Sequence, residues 1–128
     1  MITKKHMGIW MDHSSARLME LTNNLIITSI VTSEFTHEEK EHSLRRSESL
    51  MHHKEQHQQS GYYKKIGNAI KDCNEVLLFG PTTAKDELLN LLKADRHFLN
   101  IKIEVKHADK MTEKQQHAFV EKYFHAQQ

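Results

Sequence analysis

Met7-Gly8-Ile9-Trp10-Met11 carries no polar side chain and runs straight into Asp12-His13-Ser14-Ser15. An apolar run this short, stopped by a turn, is the pattern of a strand buried on both faces, which places it at the centre of a sheet covered by helices. Asp and Ser suit the turn because their side chains bond to nearby backbone. Beyond the turn, Ala16 to Leu21 alternates, with Ala16 and Leu18 on one face and Arg17 and Met19 on the other. Thr22-Asn23-Asn24 reads as a second turn, and Leu25 to Val31 is rich in β-branched residues. These segments predict an antiparallel meander of three short strands.

From Thr36 to Ser60 no periodicity persists, and the composition shifts to Glu, Lys, Arg, Gln, Ser and His. The expectation is a long polar, histidine-rich loop over about 33–60 inside one domain spanning 1–128. Ser60 is a candidate N-cap. Tyr62, Tyr63, Ile66, Ala69, Ile70 and Cys73 then recur at helical spacing, predicting a helix that ends near Asn74. Glu75-Val76-Leu77-Leu78-Phe79 is a short strand halted by Gly80-Pro81. Thr83 with Asp86 suggests a capped helix start, and Leu88, Leu89, Leu91 and Leu92 its buried stripe. Ile101, Ile103 and Val105 alternate as a strand. Thr112 with Gln115 caps a last helix that packs through Phe119, Val120, Tyr123 and Phe124. The order β-β-β-loop-α-β-α-β-α most economically builds an α/β domain with one mixed five-stranded sheet flanked by helices.

Composition narrows the function classes. Net charge is +1, so the overall balance demands neither nucleic acid nor an anionic membrane, although 11 histidines make it pH-dependent. Cys73 is the only cysteine, which fits a reducing cytoplasm. No apolar run nears the ~20 residues that a membrane span needs.

The sequence holds several candidate sites. Gly80-Pro81-Thr82-Thr83-Ala84-Lys85 lies between a strand end and a helix start, where anions bind, but it lacks the second glycine and the Lys-Ser/Thr pair of a phosphate-binding loop. A turn plus a capped helix accounts for it, with Lys85 available to an RNA phosphate. His53 and His57, spaced i and i+4, are the weak metal candidates, beside His52, His37 and His42. No complete ligand set accompanies them, and a solvated loop is the plainer reading. Asp12 ends the first strand, where nucleases of the RNase H type hold a metal-binding carboxylate. Glu75 and Glu104 are poorly placed to join it, so a turn role is expected. Cys73 on an apolar stripe reads as an inert buried thiol, and Ser14 or Ser15 with His13 is too local for a triad.

The string from Gly8 to Leu18, with its Asp12-His13 turn and Arg17, resembles the opening of a bacterial family of translational machinery proteins. Tyr62-Tyr63, Leu77-Leu78-Phe79-Gly80-Pro81 with Lys85 beyond, His107-Ala108-Asp109 and Tyr123-Phe124 follow in that family's order. The family is similar in turn to the middle domain of archaeal and eukaryotic class I release factors and Pelota, an RNase-H-like fold. The resemblance implies that fold and an association with the ribosome, its RNA or its tRNA sites. In release factors the segment after the third strand carries Gly-Gly-Gln; here it ends Gln58-Gln59-Ser60-Gly61, and Gly-Gly-Gln occurs nowhere. Glycines permit the close backbone approach that the tripeptide makes, so peptide release is not expected. The codon-reading and partner-binding domains are also missing from the chain.

The expected function is therefore non-catalytic ribosome binding in the cytoplasm under stress, in hibernation or rescue. Arg45, Arg46, His52, His53, Lys54, His57 and Lys85 are the expected RNA contacts, and no cofactor is expected. The competing readings are a divalent-metal nuclease or hydrolase centred on Asp12, and a metal-binding homo-oligomer that uses the histidine loop.

Overall fold

The computed structural model describes residues 5–22, 25–33 and 61–126. Five strands, β1 (His6–Met11), β2 (Ser15–Thr22), β3 (Leu25–Thr32), β4 (Glu75–Gly80) and β5 (Lys102–His107), form one sheet in the order β3-β2-β1-β4-β5. The β1–β2 and β2–β3 pairs are antiparallel, whereas β4 runs parallel to both β1 and β5. The helices are α1 (61–70), α2 (Ala84–Lys93) and α3 (Glu113–Ala126), with a short 3₁₀ turn at Arg96–Phe98. This is the expected mixed sheet and α/β class.

Periodicity explains the layers. Met7, Ile9 and Met11 of β1 point to one face with Ala16 and Leu18 of β2, where α1 and α2 cover them through Tyr62, Ile66, Ile70 and Leu88. Trp10, Met19, Leu77 and Phe79 point to the other face, where α3 seals them with Val120, Tyr123 and Phe124. The apolar run of β1 is thus buried on both sides, as its composition predicts. Gly8 lets α3 come close: a Cβ there would lie 2.3 Å from Val120 Cγ2.

Local predictions fare unevenly. The α3 cap forms reciprocally: the Thr112 N–H donates to Gln115 Oε1 (2.9 Å) and the Gln115 N–H donates to Thr112 Oγ1 (3.2 Å). The box expected at Thr83 and Asp86 does not form. Thr83 has φ −80° and ψ 0°, whereas an N-cap side chain reaches the first-turn amides from extended backbone. Its hydroxyl donates instead to Glu87 Oε2 (3.1 Å), and Thr82 Oγ1 accepts from the Ala84 N–H (3.2 Å).

The buried stripe of α2 is Ala84, Lys85, Leu88 and Leu92. Leu89 packs at its margin, and Leu91, expected inside, is half exposed because it sits at the stripe's edge. Helix α1 stops at 70, short of the expected end. The chain after it is fastened by Lys5, whose N–H donates to Asn74 Oδ1 (2.7 Å) and whose Nζ donates to Asp72 Oδ2 (2.9 Å). Cys73 is buried in that turn. Among the described residues no helix is long and apolar enough to cross a membrane. The Asn23-Asn24 turn, the Ser60 cap and the loop from Thr36 onward lie outside the described residues.

Candidate functional site

Parallel strands deliver their carboxyl ends to one rim, and the two most distinctive sequence blocks meet there. Met11 ends β1 and Gly80 ends β4, separated in the chain by β2 and β3 but neighbours across the sheet, since Trp10 pairs with Phe79. Gly80 has φ +151°, and a Cβ on it would lie 2.2 Å from the Met11 carbonyl oxygen. Only glycine allows this approach, which is why a strand of bulky residues ends in one. Pro81 follows and starts the loop into α2.

Asp12 folds its own turn. Its Oδ1 accepts from the N–H groups of Ser14 (2.7 Å) and Ser15 (2.9 Å), while its N–H donates to the Ser15 carbonyl (3.0 Å). The expected turn role is what the geometry displays. Tyr62 Oη, from α1, donates to the Asp12 carbonyl (2.9 Å) and ties that turn to the helix. Burial, reinforced by the nearby Asp12 charge, pushes the Tyr62 phenol far above its usual range, so it stays a neutral donor.

His13 projects from the turn onto Glu87 of α2, with Nε2 2.9 Å from Oε2. A carboxylate only accepts, so Nε2 carries the proton in this pair. Glu87 also accepts from Tyr63 Oη (3.0 Å, on Oε1) and from the Thr83 hydroxyl. Burial alone would raise its pKa, but the bonds from His13, Tyr63 and Thr83 outweigh it and hold the carboxyl below its ordinary value. Glu87 of α2 therefore joins the β1–β2 turn, α1 and the β4–α2 loop through one side chain.

Lys85 does not face outward. Its side chain is 5% exposed, its Nζ donates to the Thr82 carbonyl (2.5 Å), and Asp86 Oδ2 lies 3.7 Å away. The ammonium is committed to fastening the loop, and exposed Asp86 and Glu87 surround the start of α2 with negative charge. This corrects the expected phosphate contact at Lys85. Arg17 pairs with Glu113 of α3 (3.2 Å). Arg45, Arg46, His52, His53, Lys54 and His57 lie outside the described residues.

As chemistry, the rim offers an oriented histidine without a nucleophile bonded to it among the described residues. No group of three His, Cys, Asp or Glu side chains among those residues is arranged to hold a metal ion. Glu87 and the tyrosine hydroxyls were missed in the sequence: Tyr62 and Tyr63 stood out as core residues, and Glu87 carried no signal. Lys64 of α1 and Lys71 in the turn after it are exposed and border a cleft of about 350 Å³ against α2, floored by Gly67, Leu88, Leu92 and Phe98.

Neither protein-family models nor curated proteins match the chain. Solved structures do. Pelota from Thermoplasma acidophilum is similar over 87% of this chain and 30% of its own, with a TM-score of 0.57 and 17% identity. Pelota from Archaeoglobus fulgidus is similar over 98% of this chain and 36% of its own, at a TM-score of 0.57 and 11% identity. The archaeal translation termination factor aRF1 is similar over 95% of this chain and 39% of its own, at a TM-score of 0.52 and 10% identity. The chain thus has the fold of a release-factor and Pelota domain, and it spans little more than a third of these proteins at most.

Proposed function

We propose that the protein is a non-catalytic, translation-associated protein that binds the ribosome in the cytoplasm, in a stress, hibernation or rescue role. The observation that carries this reading is the combination of a fold similar to a translation termination factor with a sequence that lacks Gly-Gly-Gln. The contact element is the histidine-bearing segment within 33–60, with Arg45, Arg46, His52, His53, Lys54 and His57, continued by exposed Lys64 of α1 and Lys71 just beyond it. Ribosomal RNA presents dense phosphate, and cations in such a segment bind it without reading its sequence. tRNA sites offer the same chemistry. Lys85 has no part in this contact.

The test is co-sedimentation with ribosomes across a salt series. Binding through phosphate contacts weakens steeply as salt rises, and changing both Arg45 and Arg46 to Ala should weaken it at every salt. Absence of co-sedimentation even at low salt overturns the reading. Metal-dependent RNA cleavage that vanishes in Asp12→Asn would establish an enzyme instead. Stoichiometric Zn or Ni in the purified protein would point to the histidine loop as a metal site.

A further inference from the structure

The sheet has two edges, and they are built differently. Strand β5 carries Lys102, Glu104, Lys106 and His107, the charged pattern by which edge strands resist pairing with other chains. Strand β3, Leu-Ile-Ile-Thr-Ser-Ile-Val-Thr, has no charge and no proline. All eight of its residues pair with β2 in one unbroken register, so no bulge turns the edge away. Among the described residues no strand pairs with its outer side.

Its side chains are exposed to match. Leu25 is 69% exposed, Ile27 60% and Ile30 61%, far above the rest of the apolar side chains in the sheet. Side chains alternate along a strand, so Leu25 and Ile27 lie on the α1–α2 face with Val31, and Ile30 lies on the α3 face with Ile26. Outward main-chain donors and acceptors together with apolar side chains on both faces call for an extended strand as partner.

We infer that this partner is β3 of a second copy of the chain, joined antiparallel about a two-fold axis. Three properties single out self-pairing. A strand without charges meets its own copy without like-charge repulsion. A two-fold axis perpendicular to the sheet keeps each face continuous, which requires residues of equal parity to stand opposite each other. With Thr28 on the axis, Leu25 stands opposite the partner's Val31, Ile26 opposite the partner's Ile30, and Ile27 opposite the partner's Ser29. That register sets the exposed Leu25 of one face and the exposed Ile30 of the other against apolar side chains of the partner. The product is one continuous sheet of five strands from each copy, and its two outer edges are then the charge-bearing β5 strands.

The experiment uses the full chain in sedimentation equilibrium over a wide concentration range. A dimer of the 15.1 kDa chain is expected. Ile27→Lys and Ile30→Lys, at exposed sites that leave the core intact, should each raise the dimer dissociation constant at least ~10-fold, because both copies bring the charge into the seam. Unchanged circular dichroism checks that the variants are folded. Thr28→Cys, on the axis, should give a disulfide-linked dimer on mild oxidation, whereas Ser29→Cys should not. A monomer at all concentrations, a dimer indifferent to both lysines, or a dimer in which Thr28→Cys fails to cross-link overturns the proposal.

Discussion

Gly80 faces the carbonyl oxygen of Met11 so closely that a Cβ would stand 2.2 Å from it, at a φ of +151° that L side chains rarely adopt. Both penalties act at once, since a side chain would collide with main chain that cannot rotate away and would strain its own backbone. Gly80→Ala should destabilise the protein by about 2–3 kcal/mol or more. The denaturant midpoint should fall with little change in slope. An alanine that leaves the midpoint unmoved would contradict the close packing of β1 and β4 at their ends.

The pH dependence of stability has a definite sign at Glu87. Its carboxyl is more acidic folded than unfolded, because the bonds from His13, Tyr63 and Thr83 prevail over burial. Below the unfolded value near ~4.3 the unfolded chain binds more protons, so stability rises with pH there. The contribution is complete above that value and is lost as pH falls through the folded one. With the side chain 47% exposed, solvent screening holds it to about 1 kcal/mol. Urea midpoints of the native protein and Glu87→Gln should therefore differ at neutral pH and converge as pH falls through the titration of the folded carboxyl. A difference that persists undiminished into acid would assign Glu87 another role.

What could be read from the sequence was what depends on periodicity. Among the described residues the five strands, the three helices and the two-sided burial of β1 follow from apolar spacing, and the Thr112–Gln115 cap from residue type alone. What could not be read depends on where distant side chains converge. Lys85 has the residue type of a phosphate contact, yet its position on the buried stripe of α2 turns the amine back onto Thr82. Thr83 has the residue type of a cap, but its helical dihedrals aim the hydroxyl at Glu87 instead. The meeting of Asp12-His13 with Gly80-Pro81 is set by the parallel pairing of β1 and β4, and no local pattern in either block encodes it.

Close approach on the other face predicts a coupled pair. A Cβ at Gly8 would lie 2.3 Å from Val120 Cγ2 and 2.9 Å from Cγ1, and Val120 is fully buried. Valine is stiff at χ1, so it cannot swing aside. Gly8→Ala should cost about 1–3 kcal/mol through overpacking. Val120→Ala alone should cost a comparable amount by leaving a cavity. The double variant should be clearly more stable than the sum of the two predicts, because each change relieves the other. Strict additivity in a denaturation cycle would mean that β1 and α3 do not touch at this point.

Cys73 offers a reporter of opening in the turn after α1. Its thiol is buried, and burial pushes its pKa up to about 11, with Lys5 only partly opposing the shift. The thiolate is the reactive form, and an unperturbed cysteine ionises near ~8.5. At pH ~7.5 the folded thiol should accordingly be orders of magnitude less reactive than the unfolded one toward a disulfide reagent. Breaking the Lys5–Asp72 bond (2.9 Å) with Asp72→Ala should loosen the turn that buries it and speed labelling, while the unfolding free energy falls by no more than about 1 kcal/mol. Because the Asp72 charge itself raises the Cys73 pKa, labelling is compared per thiolate from its pH dependence. Acceleration at an almost unchanged midpoint then identifies local opening, whereas labelling that merely tracks global stability would show that the Lys5 clasp does not guard the thiol.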